Sequence, residues 1–221
     1  SGNRYYMDPE TGEMRTGWVQ DGGQWYLLDE TDGKMLKGWQ KVGIDWYYLN
    51  TDNGVMLSNC WLRDPDTGFV YWLRSWGGRA YSLTTKLDGY TVSFDSEGKV
   101  SQGSWIRCNG SWGYVTGGRL TTGWIKDGID WYYFNEDGTM KANELCTVDG
   151  DIYYFRTWGG MLYNDWYQNP ADGNWYYFRS WGGALNTGWN KIGIDWYYFN
   201  SDCTMKKDEL CWLNGNLYYF R

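Results

Sequence analysis

The chain has 221 residues, of which 21% are aromatic (18 Trp, 21 Tyr and 7 Phe), with 31 Gly, 3 Pro, 5 Cys, no His and a formal net charge of −7. The acidic balance argues against a nucleic-acid partner, whose phosphates need a basic surface, and the lack of His removes the usual general base and the commonest metal ligand. No run of about 18 apolar residues exists, so no membrane insertion is expected.

A unit of roughly 20 residues recurs about ten times. Its core is Gly-Trp, a variable stretch, Trp-Tyr-Tyr-(Phe/Leu), a turn, and Gly-x-Met. The chain opens inside a partial unit (Arg4-Tyr5-Tyr6, then Gly12-Glu13-Met14). Units then begin near Gly17, Gly38 and Cys60, a degenerate one covers 84–103, and further units begin near Ser104, Gly123, Glu144, Asp165, Gly188 and Glu209. The last stops at Tyr218-Tyr219-Phe220-Arg221, before its Gly-x-Met, so the chain reads as a fragment cut from a larger protein. Each unit holds two short aromatic-rich runs joined by Gly/Asp/Asn turns, which is β-hairpin chemistry. A lone hairpin is marginal in water, whereas stacking hairpins buries their aromatic faces. The expected fold is all-β, a solenoid of stacked hairpins forming a single array over 1–221.

Side chains alternate along a strand, so Trp131 and Tyr133 share one face and Tyr132 and Phe134 the other. The third residue of the aromatic run is aromatic almost throughout. The two Trp positions behave as a pair: both are Trp in six units, and both are aliphatic in Leu145/Ile152 and Leu210/Leu217. Filling a core would accept either kind of residue, so this all-or-none exchange points to paired indoles with a shared task. A submotif, Arg-(Ser/Thr)-Trp-Gly-Gly, adds a Trp to the turns at Trp76, Trp158 and Trp181. Each either caps its hairpin or adds a stacking platform.

Catalytic patterns are missing. Cys60, Cys108, Cys146, Cys203 and Cys211 have no His to activate them and no metal-site spacing, and they read as structural thiols. The carboxylates cluster in turns such as Asp29-Glu30-Thr31-Asp32-Gly33, without a calcium-loop pattern. Asn109-Gly110-Ser111 fits a glycosylation acceptor, a motif too short to carry a reading. No metal or cofactor is expected, and the chain reads as a non-catalytic segment.

The pattern Gly-Trp…Trp-Tyr-Tyr-(Leu/Phe)-Asn…Gly-x-Met resembles the choline-binding, or cell-wall-binding, repeats of Gram-positive surface proteins and lytic enzymes, over nearly the whole chain. The irregular stretch from Thr84 to Val92 is similar to a degenerate unit of such modules. The resemblance implies a left-handed hairpin solenoid with ligand sites between successive hairpins. Each site would take two aromatics from one unit and a third from the next, with Met or Leu as floor. Carried onto this sequence, the candidate cages are Trp18, Trp25 and Tyr48; Trp39, Trp46 and Trp72; Trp105, Trp112 and Tyr133; Trp124, Trp131 and Tyr154; Trp166, Trp175 and Tyr198; and Trp189, Trp196 and Tyr219. Strand alternation selects the third-position Tyr, with the middle Tyr of the run as the alternative. The aliphatic pairs form no cage, and Trp61 lacks a partner because Val70 holds the second Trp position.

Electron-rich ring faces suit a quaternary ammonium, which donates no conventional hydrogen bond. The resemblance therefore implies a secreted, cell-wall-associated module of a Gram-positive bacterium that holds choline-bearing teichoic acid or another cell-surface polymer. A glucan or other polysaccharide is the alternative ligand. Sugars also stack on Trp and Tyr, and Asp130, Asn135, Asp195, Asn200 and the arginines Arg74, Arg156 and Arg179 offer hydrogen bonds. A mostly structural spacer is the third reading.

Overall fold

A computed structural model describes residues 2–108 and 110–221, so Asn109 of the glycosylation motif lies outside the described residues. Among those described, every regular element is a strand. No helix is long and apolar enough to cross a membrane. Ten antiparallel hairpins follow one another in chain order. The first pairs strands Gly17–Asp21 and Gln24–Leu28, the second Gly38–Val42 and Asp45–Leu49, and the third Cys60–Arg63 and Val70–Leu73. The fourth, Leu83–Leu87 with Tyr90–Phe94, turns the irregular stretch into a regular hairpin. The fifth, Ser104–Cys108 with Ser111–Thr116, gains a short third strand, Arg119–Leu120. Then come Gly123–Asp127 with Asp130–Phe134, Glu144–Val148 with Asp151–Phe155, Asp165–Gln168 with Trp175–Phe178, Gly188–Ile192 with Asp195–Phe199, and Glu209–Leu213 with Asn216–Phe220. The chain divides into two compact units, 1–121 and 122–221, with five hairpins in each.

The turns explain why these runs fold back. At Asp149-Gly150 both central residues have positive φ, 52° and 93°, the conformation whose twist matches the flanking strands. At Gly128-Ile129 only the glycine does, which leaves Ile129 at the tip, 79% exposed. So exposed, the isoleucine contributes little to the core.

The last residue of the aromatic run supplies that core. Phe134, Phe155, Phe178 and Phe199 are fully buried. Three of them bridge to the Met of the slot that follows: Phe134 to Met140, Phe155 to Met161 and Phe199 to Met205. The residue in the Met slot then ties two hairpins together. The Met56 N–H donates to the Trp25 carbonyl of the previous hairpin, Met161 to Trp131, and Met205 to Trp175, each at 2.8 Å. Its side chain lies under the turn of the next unit. A Cβ on Gly33, at φ +68°, would lie 2.5 Å from the sulfur of Met14, so a side chain here would be strained and would have to displace the methionine. One such contact between successive units has both partners replaced. Ala184 stands in the Met slot, and Cys203, at φ 69°, stands where the glycine would be, with both side chains in one buried cluster. The smaller Ala184 leaves room for the larger Cys203.

The first unit has its own core, built on Trp61, Val70, Val92, Val100, Ile106 and Val115. A contact far apart in sequence closes it. Arg119 bridges Phe69, stacks its guanidinium over that ring at 4.1 Å and donates Nη1 to the Thr67 carbonyl at 2.5 Å. All five cysteines are free. Burial pushes the thiols of Cys60, Cys108, Cys146 and Cys203 above their ordinary range, so they stay protonated and act as small apolar groups.

Candidate functional site

Each candidate box starts from the hairpin register. The first Trp sits directly opposite the third residue of the aromatic run: Trp39 with Tyr48, Trp124 with Tyr133, Trp166 with Tyr177 and Trp189 with Tyr198. The second Trp lies diagonally across on the same face. Trp18/Trp25, Trp39/Trp46, Trp124/Trp131 and Trp166/Trp175 hold their ring centroids 6.3 to 6.5 Å apart at 82° to 84°, two walls meeting at a right angle.

The third wall differs from the one that strand alternation selects. Tyr48, Tyr133 and Tyr198 lie against the Trp of their own hairpin, at 5.2, 5.2 and 5.5 Å, and Trp72 lies against Trp61 at 5.2 Å. Tyr154 stacks on Tyr167 at 3.8 Å and donates its hydroxyl to Asn143. Tyr219 is 62% exposed, opposite Leu210. The ring that closes on the preceding pair is the middle Tyr. Trp18 meets Tyr47, Trp39 meets Tyr71, Trp124 meets Tyr153, Trp166 meets Tyr197 and Trp189 meets Tyr218, at 4.8 to 5.2 Å and 63° to 81°. The physical reason is that hairpins stack front to back. Alternation puts the third-position Tyr on the same face as its own Trp, so the neighbour offers its opposite face, which carries the middle Tyr and the buried Phe. Trp124 accordingly also packs on Phe155, and Trp166 on Phe199.

Trp105 and Trp112 have Tyr90 of the preceding hairpin beside them, at 6.4 and 5.5 Å. The aliphatic pairs are not boxes: Leu145 and Ile152 pack into the cluster around Tyr176 and Ala184, and Leu210 and Leu217 are exposed. Trp61 is buried beside Val70 in the first unit's core.

The most developed box is a cleft of about 550 Å³ lined by Trp124, Trp131, Tyr153, Met161 and Trp181, among others. Met161 forms its floor, and Trp131 is 40% exposed at its mouth. Trp181, from the turn one hairpin beyond Tyr153, stands 6.1 Å from the Tyr153 ring as a fourth wall. Trp76 stands likewise 5.9 Å from Tyr47, and Trp158 is 6.0 Å from Tyr132. Each turn Trp folds across the second glycine of its Gly-Gly, where any Cβ would overlap the indole. These tryptophans therefore cap the turn with one face and present the other, joining two roles that the sequence left as alternatives.

Of the polar groups suggested for sugar recognition, the three arginines and both asparagines are engaged locally. Arg74, Arg156 and Arg179 lie over Trp76, Trp158 and Trp181 at 5.4 to 5.6 Å, and Arg179 also donates to the Ala184 carbonyl and to Asn186. The amides of Asn135 and Asn200 donate to Thr139 and Thr204 within their own turns. Among the described residues, no cluster of three or more His, Cys, Asp or Glu is placed to hold a metal.

The second box has two departures from its neighbours. Arg79 holds its Met slot, bridging Leu73 and donating its N–H to the Trp46 carbonyl as Met161 does to Trp131. A slot-by-slot alignment of Gly-x-Met would have exposed this Arg, which the sequence reading did not single out. In addition, the Trp39 indole N–H donates to the buried Asp64 carboxylate at 2.8 Å, which also accepts the N–H groups of Asp66 and Thr67. Burial pushes Asp64 up, but the Thr67, Trp39 and Asp66 donors outweigh it and hold the carboxyl below the ordinary aspartate range. Its contribution is therefore present above the unfolded aspartate value and is lost as pH falls through the depressed one. Asp64→Ala is expected to lower the urea midpoint most near pH 7, with the difference from the parent chain shrinking below about pH 4. A penalty constant from pH 7 to pH 2 would remove the carboxylate from this account.

Residues 15–61, 121–166 and 186–221 match the family model described as a choline-binding repeat, more than half of the chain, and residues 164–184 match a cell wall binding repeat. Among solved structures, CbpJ from Streptococcus pneumoniae TIGR4 is 21% identical, with 99% of this chain and 98% of that one covered, at a TM-score of 0.48. The choline-binding domain of CbpL from Streptococcus pneumoniae is 28% identical, with 88% and 99% covered, at 0.44. An alternansucrase in complex with isomaltononaose is 21% identical, with 100% of this chain but 18% of that one covered, at 0.49. No curated protein matches the chain.

Proposed function

Because the chain belongs to the choline-binding repeat family and is a choline-binding, cell-wall-binding module, we propose that its ligand sites are the right-angled Trp pairs closed by the middle Tyr of the next hairpin. The open right-angled boxes are Trp18, Trp25 and Tyr47; Trp124, Trp131 and Tyr153; and Trp166, Trp175 and Tyr197; Trp189 closed by Tyr218, with Trp196 of the same hairpin 61% exposed, is a fourth candidate. The Trp105 and Trp112 pair with Tyr90 is a further candidate. The observation that carries this reading is the Trp124 cleft, with three ring faces at steep angles over a thioether floor. Such walls suit a trimethylammonium group, which offers a diffuse positive charge and no donor. A sugar would bring hydroxyls whose partners these walls supply poorly.

Each ring contributes about 0.5–2 kcal/mol, so three rings give a site of roughly millimolar strength. Several such sites along a polymer that carries many choline groups bind far more tightly than one. The module acts as a non-catalytic anchor that holds a secreted protein at a Gram-positive surface through choline-bearing teichoic acid. The size of the cleft and the partial exposure of Trp181, 49%, favour a polysaccharide as second reading.

Intrinsic tryptophan fluorescence separates the two. Choline is expected to give a saturating, millimolar titration and to release the chain from a choline-bearing resin, with maltooligosaccharides and dextran doing neither. Saturation by a saccharide with no response to choline would reverse the assignment.

A further inference from the structure

We infer that the second box, formed by Trp39, Trp46 and Tyr71, is already filled by the chain's own cation, Arg79, and is closed to external ligand until that side chain is removed. The inference rests on the cages being the ligand sites. The Arg79 guanidinium carbon lies 5.6 Å from the Trp39 ring centroid, 5.8 Å from Trp46 and 5.2 Å from Tyr71, within reach of all three walls at once. The walls have the same geometry as in the open boxes: Trp39 and Trp46 are 6.5 Å apart at 83°, and Tyr71 closes on Trp39 at 5.2 Å.

The arginine enters from the floor. Its backbone occupies the slot that holds Met56 and Met161 elsewhere, with the same N–H bond back to the second Trp of the pair. A methionine there ends in an uncharged thioether below the rings, whereas arginine is longer and carries its charge in among them. Its Nε is buried with no hydrogen-bond acceptor among the described residues. A buried donor left unpaired costs free energy, and here the ring faces around the guanidinium are what offset it. The glycine of the next turn, Gly98, leaves space for this side chain, since a Cβ there would lie 2.9 Å from Nε. A tethered cation needs no association from solution, so a free quaternary ammonium of millimolar affinity competes poorly with it. The box that looks complete in sequence is thus a latent site for quaternary ammonium ions, held shut by a guanidinium.

The test is Arg79→Met, which restores the residue of the other slots, with Arg79→Lys as a charged control and Arg79→Gln as the neutral variant should the methionine fail to fold. Choline stoichiometry by calorimetry is expected to rise by one site per chain for the neutral variant and to stay at the parent value for lysine. Acrylamide quenching of tryptophan fluorescence, which needs no choline binding, is expected to increase in the neutral variant as the box opens. A neutral, folded variant with unchanged quenching and unchanged stoichiometry overturns the inference. Increased quenching without choline binding by any variant leaves the plug standing and sinks the choline reading of the cages instead.

Discussion

Trp131→Ala is expected to weaken choline binding at the best-formed box while leaving the hairpins folded. Trp131 stands at right angles to Trp124, 6.3 Å away, and keeps 40% of its surface in solvent. Its packing contribution is therefore small beside its role as a wall. Losing one ring costs about 0.5–2 kcal/mol of cation binding, a roughly twofold to thirtyfold weakening at that site. Retention on a choline-bearing polymer falls more steeply, because the sites act together. Tyr153→Leu is expected to follow Trp131→Ala in the titration, since Tyr153 closes the box. Tyr154→Leu is expected to leave the titration unchanged, since Tyr154 stacks on Tyr167. Calorimetry with choline, read beside thermal melts, checks all three. A Trp131→Ala chain with the parent stoichiometry and affinity would show that this indole is not part of a ligand site.

Phe155→Ala is expected to have the largest effect on stability. The side chain is fully buried and touches Trp124, Tyr133 and Tyr153. Deleting a buried phenyl ring costs about 3–5 kcal/mol through lost transfer energy and the cavity left behind. For a unit of this size, each kcal/mol moves Tm by roughly 4–8 °C, so the melting transition of the second unit should fall by more than about 10 °C. Stacked hairpins draw stability from their neighbours, so the loss spreads into the Trp124 box. Circular dichroism melts of the parent and variant measure it. A shift of only a few degrees would mean that the ring is not a core element.

These effects separate along the two faces of one strand. In Asp151–Phe155, Tyr153 and Phe155 point toward the preceding hairpin, while Tyr154 points the other way. Alternation of side chains made that division readable from Asp-Ile-Tyr-Tyr-Phe alone. It did not say which face the preceding hairpin meets, because both faces are aromatic and composition does not distinguish them. The middle Tyr was accordingly the alternative and not the selected wall. The turn Trp of Arg-Thr-Trp-Gly-Gly shows the same limit. Its extra indole was visible, but its approach to a tyrosine one hairpin back depends on how neighbouring units stack.

By itself the sequence determined the hairpin repeat, the pairing of the two tryptophans and the positions where that pairing fails, because strand period and turn conformation are local and are written residue by residue. Tertiary structure alone decided that hairpins stack front to back, that the middle tyrosine is therefore the third wall, that Trp181 lines the Trp124 cleft, and that Arg79 fills one of the boxes. Those facts depend on distances between side chains in different hairpins, and packing sets such distances where spacing along the chain does not.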